Sequence, residues 1–149
     1  RREGSVVELR KSKDPVGRYL DDAMAVAQTD GLPSQAARRV VPGLCRLAVE
    51  AACTEVVRRR RLGRGEPHAA VEDVLESLTG TSKLLALALF DDETGTKGVL
   101  PRLDKENKSF ADVFRMLNEG SHGELPGPPV DVVHNARKLA TWLQALGLK

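Results

Sequence analysis

The sequence predicts an all-α fold, an antiparallel up-and-down bundle of five or six helices, and three observations carry that prediction. Apolar residues make up 41% of the 149 residues and aromatics only 3%, so the core is built from Leu, Val and Ala rather than from the rings and β-branched stretches of a sandwich. The apolar positions recur at three- and four-residue spacing through most of the chain. Gly, Pro and Asp or Ser punctuate that pattern at short intervals, which implies short connections and antiparallel neighbours.

The elements follow in order. Residues 1–13, with Val6, Val7 and Leu9 as a short β-like run, read either as an N-terminal arm or as the end of a preceding domain that is absent; residues 14–149 form the bundle. Asp14-Pro15 has the form of an N-cap followed by proline in the first turn. The helix it opens carries Tyr19, Leu20, Ala23, Met24 and Ala27 on one side and stops at Asp30-Gly31. Ser34 is a candidate cap for a second helix, with a kink or fresh start expected near Pro42. From Val41 a broad apolar stripe (Leu44, Cys45, Ala48, Ala51, Ala52, Val56) marks the central helix, ended by Gly63 and Gly65. Glu66-Pro67 opens a helix that Gly80 closes. Thr81 or Ser82 caps the Leu- and Ala-dominated run Leu84–Phe90, which reads as a buried helix because no residue in it is β-branched. Residues 91–106 read as a loop with at most a helical turn near Val99–Leu103. Asn107 or Ser109 caps a helix holding Phe110, Val113, Phe114 and Leu117, and Pro129 with Asp131 begins the last helix after a stiff Gly- and Pro-rich loop.

Composition excludes several classes. A formal charge of +2 does not by itself indicate a nucleic-acid binder, and no run is long and apolar enough to span a membrane. No Gly-rich phosphate loop follows a strand, and no His, Cys or acidic residues have metal-ligand spacing, so neither a nucleotide cofactor nor a structural metal is expected. Cys45 and Cys53, eight positions apart, lie about 12 Å apart on a shared helix, too far for a disulfide. They read as buried apolar residues in a reducing, cytoplasmic setting. The chain begins at Arg1 without a methionine, as expected for a piece of a larger protein.

Two segments attract chemical interest. In Val57–Arg64, Arg58, Arg59, Arg60 and Arg61 are consecutive and Arg64 follows. They are candidates to bind a phosphate backbone, or else to neutralise the negative end of the central helix. Four successive positions cover every face of a helix, so one salt-bridged side cannot account for them all. In the second segment, Arg115 and His122 are seven positions apart, which on an unbroken helix is two turns, roughly 10 Å, on one face. Asn118 falls between them and Ser121 is adjacent to His122. A guanidinium, an amide, a hydroxyl and an imidazole on one stripe suit phosphodiester chemistry without a metal, the imidazole moving a proton and the guanidinium meeting developing charge. Gly120 leaves a second path open. In it the helix ends there in a left-handed cap and His122 meets the terminal carbonyls.

The Arg115-to-His122 spacing resembles the Arg/His motif of the HEPN superfamily of small helical bundles, many of them metal-independent ribonucleases in toxin and antiphage systems. The order of elements is similar: a long helix with an inward acid in Arg46–Glu50, shorter helices, the motif helix and a closing helix. Met116 stands where active members often have a polar residue. Asn118-Glu119-Gly120-Ser121-His122-Gly123 also looks like a signature of C-terminal helical regions of bacterial AAA or SMC-like ATPases, including those linked to phage defence. The resemblance implies either a metal-independent endoribonuclease with Arg115, His122, Asn118 and Ser121 in its site and RNA as substrate, or a noncatalytic assembly or nucleic-acid-sensing module attached to an ATPase. It implies a homodimer in the first case. His68, His134, Tyr19, Trp142 and the acidic run Asp91–Glu93 read as exposed, boundary, partly buried or solvated groups without a chemical role.

Overall fold

A computed structural model describes residues 14–119 and 124–148. The arm at 1–13, whether strand or coil, lies outside the described residues. Seven α-helices and one 3-10 turn occur among the described residues, with no strand: α1 Pro15–Ala27, α2 Ser34–Gly63, α3 His68–Ser77, α4 Thr81–Phe90, α5 Val99–Glu106, α6 Lys108–Glu119 and α7 Pro129–Gln144. The turn, Thr96–Gly98, runs directly into α5. The all-α class is as predicted.

Local chemistry explains most boundaries. Asp14 accepts the Gly17 N–H at 3.3 Å and Pro15 opens α1. Asn107 caps α6, its Oδ1 accepting the Ser109 N–H and hydroxyl at 2.9 Å each. Ser34, in contrast, is the first residue of α2 and makes no capping bond, and Thr81 likewise begins α4 after Gly80. Two expectations are corrected. No fresh helix starts at Pro42: α2 is continuous through it, and Pro42 is buried, as are Ala37, Val41 and Cys45. Packing of that face holds the helix together where proline removes one hydrogen bond. Residues 99–106 form a full eight-residue helix rather than a turn, because Val99 and Leu103 are fully buried and hold it against the core.

The thirty-residue α2 is the axis of the molecule and touches α1, α3, α4, α6 and α7. Its neighbours do not alternate strictly in direction. Glu50 of α2 meets Thr81 at the start of α4, and Arg60 meets Leu87 and Ala88 at its end, so α2 and α4 run parallel. Arg38 of α2 lies 4.0 Å from Glu124 before α7, and Arg59 meets Gln144 and Leu146 at the other end of α7, so this pair is parallel too. The purely antiparallel arrangement is thereby corrected. The short α3 carries the chain back from the end of α2, so that α4 starts again beside the middle of α2.

The core is aliphatic. Leu20, Leu85, Leu87, Leu103, Leu139 and Leu143 are its largest fully buried side chains, and small residues of α2 (Cys45, Ala48, Ala52, Cys53) let neighbouring helices approach closely. Both cysteines are buried and unpaired. Burial pushes the Cys45 thiol up to about 12, and burial, with the charge of Glu50 second, raises Cys53 as well.

Candidate functional site

Helix α6 is sharply two-sided. Phe110, Ala111, Val113, Phe114, Met116 and Leu117 face the core, and Arg115, Asn118 and Glu119 face outward. Met116 is 3% exposed, so it is a packing position. Arg115 and Asn118 are one turn apart on the same open side. Arg115 holds Asp112 at 3.2 Å with half its side chain in solvent. Asn118 Oδ1 accepts the Ser82 hydroxyl at 3.2 Å, which ties the end of α6 to the start of α4. Ser121 and His122, with Gly120 and Gly123, lie outside the described residues.

Asn118 opens onto a wide, open cleft of about 500 Å³, lined mostly by polar residue types although much of the surface they present is carbon. One wall is the entry to α4, with Thr79, Thr81, Ser82 and Lys83; a second is the 3-10 turn, with Thr96 and Lys97; Phe114 and Asn118 of α6 close it. Thr81 is buried and its hydroxyl donates to Glu50 of α2 at 2.9 Å, which fixes the wall to the central helix. Lys83 and Lys97 are exposed. The lining therefore combines two ammonium groups, several hydroxyls and an amide, with no carboxylate among the described lining residues. Such a surface attracts and hydrogen-bonds an oxyanion. Neither lysine stands out in the sequence. Thr79-Gly80-Thr81-Ser82-Lys83 before an apolar helix is the signal that marks this wall, and there it is legible only as a helix start.

The arginine run has a different setting from the cleft. Arg58 forms a two-pronged pair with Glu72 of α3, at 2.9 and 2.7 Å. Arg59 donates to the Gln144 and Leu146 carbonyls at 2.8 and 2.6 Å. Arg60 donates to the Leu87 and Ala88 carbonyls at 3.2 and 2.8 Å. Arg61 and Arg64 both hold Asp91 and Glu66. Asp91 follows α4 in a left-handed conformation, φ 58°. A carboxylate there faces the negative end of α4, and the cations offset that repulsion. The hydrogen bond from Arg64 holds the Asp91 carboxyl below its usual range, and the bond from Arg58 does the same for Glu72. Four consecutive arginines thus reach α3, α4, α7 and the turn after α4, which is why they occupy all faces of α2.

The remaining candidates sort simply. His68 and His134 are exposed. Asp92 accepts the Thr94 N–H and hydroxyl, at 3.0 and 2.6 Å, within its own turn. No group of three or more His, Cys, Asp or Glu residues among the described ones is placed to hold a metal ion. No described helix is long and apolar enough to cross a membrane. Comparison with protein-family models, with curated proteins and with solved structures gave no match.

Proposed function

We propose that the chain is a HEPN-like helical module that binds RNA through the cleft beside Asn118 and cleaves it without a metal. The observation that carries this reading is the delivery of Asn118, from the exposed face that also bears Arg115, to a cleft with Lys83, Lys97 and several hydroxyls. In this reading the lysines hold backbone phosphates and Arg115 stabilises charge on the scissile phosphate. His122 moves the proton between the 2′-hydroxyl and the leaving oxygen, and Asn118 and Ser121 orient the phosphodiester. Arg58 and Arg64, each about half exposed, are left as peripheral phosphate contacts, while Arg59, Arg60 and Arg61 serve the fold. A homodimer would bring two such sites to one RNA, as the resemblance implies.

A second reading rests on the pairing of the same side chains. Arg115 already has Asp112 and Asn118 already has Ser82, which suits a noncatalytic surface that senses nucleic acid or mediates assembly for an attached ATPase. Incubation of the chain with structured and single-stranded RNA in EDTA separates the two. The ribonuclease reading predicts cleavage that persists in EDTA and is lost in Arg115→Ala and in His122→Ala. Undiminished cleavage by both variants removes the site assignment, and RNA that is bound but uncut favours the noncatalytic module.

A further inference from the structure

Asn118 uses its acceptor and keeps its donors. Its Oδ1 accepts the Ser82 hydroxyl at 3.2 Å, and its Nδ2 has no hydrogen-bond partner among the described residues. Asn118 is exposed and lines the cleft together with Ser82, Lys83 and Lys97. A planar amide offers an acceptor on one side and two donors on the other. Half a rotation exchanges the two with little change of shape, so an unheld asparagine presents either. Ser82 is placed to hold it. It is the second residue of α4 and does not cap its own helix, so its one hydroxyl proton goes to Asn118. The start of α4 is fixed in turn, because the buried Thr81 donates to Glu50 of α2 at 2.9 Å.

We propose that Ser82 is a positioning residue for the cleft: by engaging the Asn118 acceptor it turns both amide N–H groups toward the bound phosphate. The inference rests on the reading of the cleft as a seat of RNA phosphate and adds the group that sets the polarity of Asn118. The two lysines are flexible point charges that attract an anion over a range of placements. Asn118 has two donors in a fixed plane and favours one placement of a phosphate oxygen. With the amide reversed, Oδ1 would meet that oxygen, acceptor against acceptor. The bond that ties α4 to α6 therefore also selects which side of the amide the ligand meets.

The affinity of a labelled oligouridylate of about twelve nucleotides, followed by anisotropy over a salt series, tests this. The chains compared are the unmodified protein, Ser82→Ala, Ser82→Thr, Asn118→Ala and the Ser82→Ala/Asn118→Ala double variant, with thermal midpoints from circular dichroism. Ser82→Ala is expected to weaken binding about three- to tenfold, because one more side chain must be ordered on binding. Its log–log salt slope should stay unchanged, since no charge is lost. Ser82→Thr keeps the hydroxyl and should bind as the unmodified chain does. In the Asn118→Ala background, Ser82→Ala should have no further effect. A lowered thermal midpoint with unchanged affinity would make the bond a structural tie only, which overturns the proposal and leaves RNA binding standing. An equal loss of affinity in both backgrounds also overturns it, because Ser82 would then act without Asn118. No anisotropy change for the unmodified chain at low salt removes the RNA reading and this proposal together.

Discussion

Arg60 donates from both terminal nitrogens to the carbonyl oxygens of Leu87 and Ala88, which belong to a different helix. The Leu87 carbonyl also accepts the Asp91 N–H at 2.9 Å, so the Ala88 carbonyl, in the last turn of the helix, is the acceptor that depends on Arg60, and a buried acceptor left unpaired costs about 1–3 kcal/mol. Arg60→Ala is therefore expected to destabilise the fold by roughly 2 kcal/mol, a drop of about 4–8 °C in thermal midpoint for a domain of this size. Arg60→Lys should recover only part of this, because an ammonium cannot reproduce the planar fork. Thermal denaturation followed by circular dichroism checks both; an unshifted midpoint in Arg60→Ala would show that these carbonyls do not depend on the guanidinium. This role was not legible in the sequence. The partners are backbone carbonyls at distant positions, and a carbonyl leaves no signature in residue identity. The sequence showed only that one salt-bridged side could not explain four consecutive arginines.

At the scale of the elements, the helices whose ends carry local signals were readable. Asp14-Pro15 and Asn107 begin α1 and α6, and the Leu/Ala run of 84–90 is helical as its lack of β-branching implied. The fresh start allowed at Pro42 and the loop over residues 99–106 did not occur, because burial, not local propensity, decides them. Helix direction was misread because loop length suggests antiparallel neighbours, whereas the parallel pairs of α2 with α4 and α7 depend on where α3 and the later connections return the chain. That parallel arrangement gathers three negative helix ends at the arginine run, with Asp91 and Glu66 among the cations. The depressed carboxyls of Asp91 and Glu72 stabilise the fold at neutral pH. That contribution is complete above the ordinary carboxylate range, about pH 4, and is lost as the pH falls through their lowered values. The urea midpoint should thus hold from neutral pH to about pH 5 and fall below about pH 4. Asp91→Asn, which keeps a residue tolerant of the left-handed conformation, should begin lower at neutral pH and lose less in acid. An acid loss equal to that of the unmodified chain would mean that Asp91 is not stabilised by its arginines.

For the whole molecule, the fold brings together what the sequence keeps apart. Lys83, Lys97 and Asn118 come from α4, the 3-10 turn and α6, and no spacing rule connects them; only Asn118 was marked, through its place in the Arg115–His122 segment. In the proposed function this cleft is the main seat of the RNA backbone and the arginine run contributes at most the peripheral Arg58 and Arg64. The salt dependence of RNA affinity tests it most directly, measured by anisotropy for the unmodified chain, for the Lys83→Gln/Lys97→Gln double variant and for Arg59→Gln. Each single-strand phosphate contact adds about 0.7 to the log–log slope. The double variant is expected to lose affinity and about 1.4 of slope, while Arg59→Gln loses stability with its slope unchanged. An unchanged slope in the double variant, with the loss appearing in Arg59→Gln instead, would contradict it.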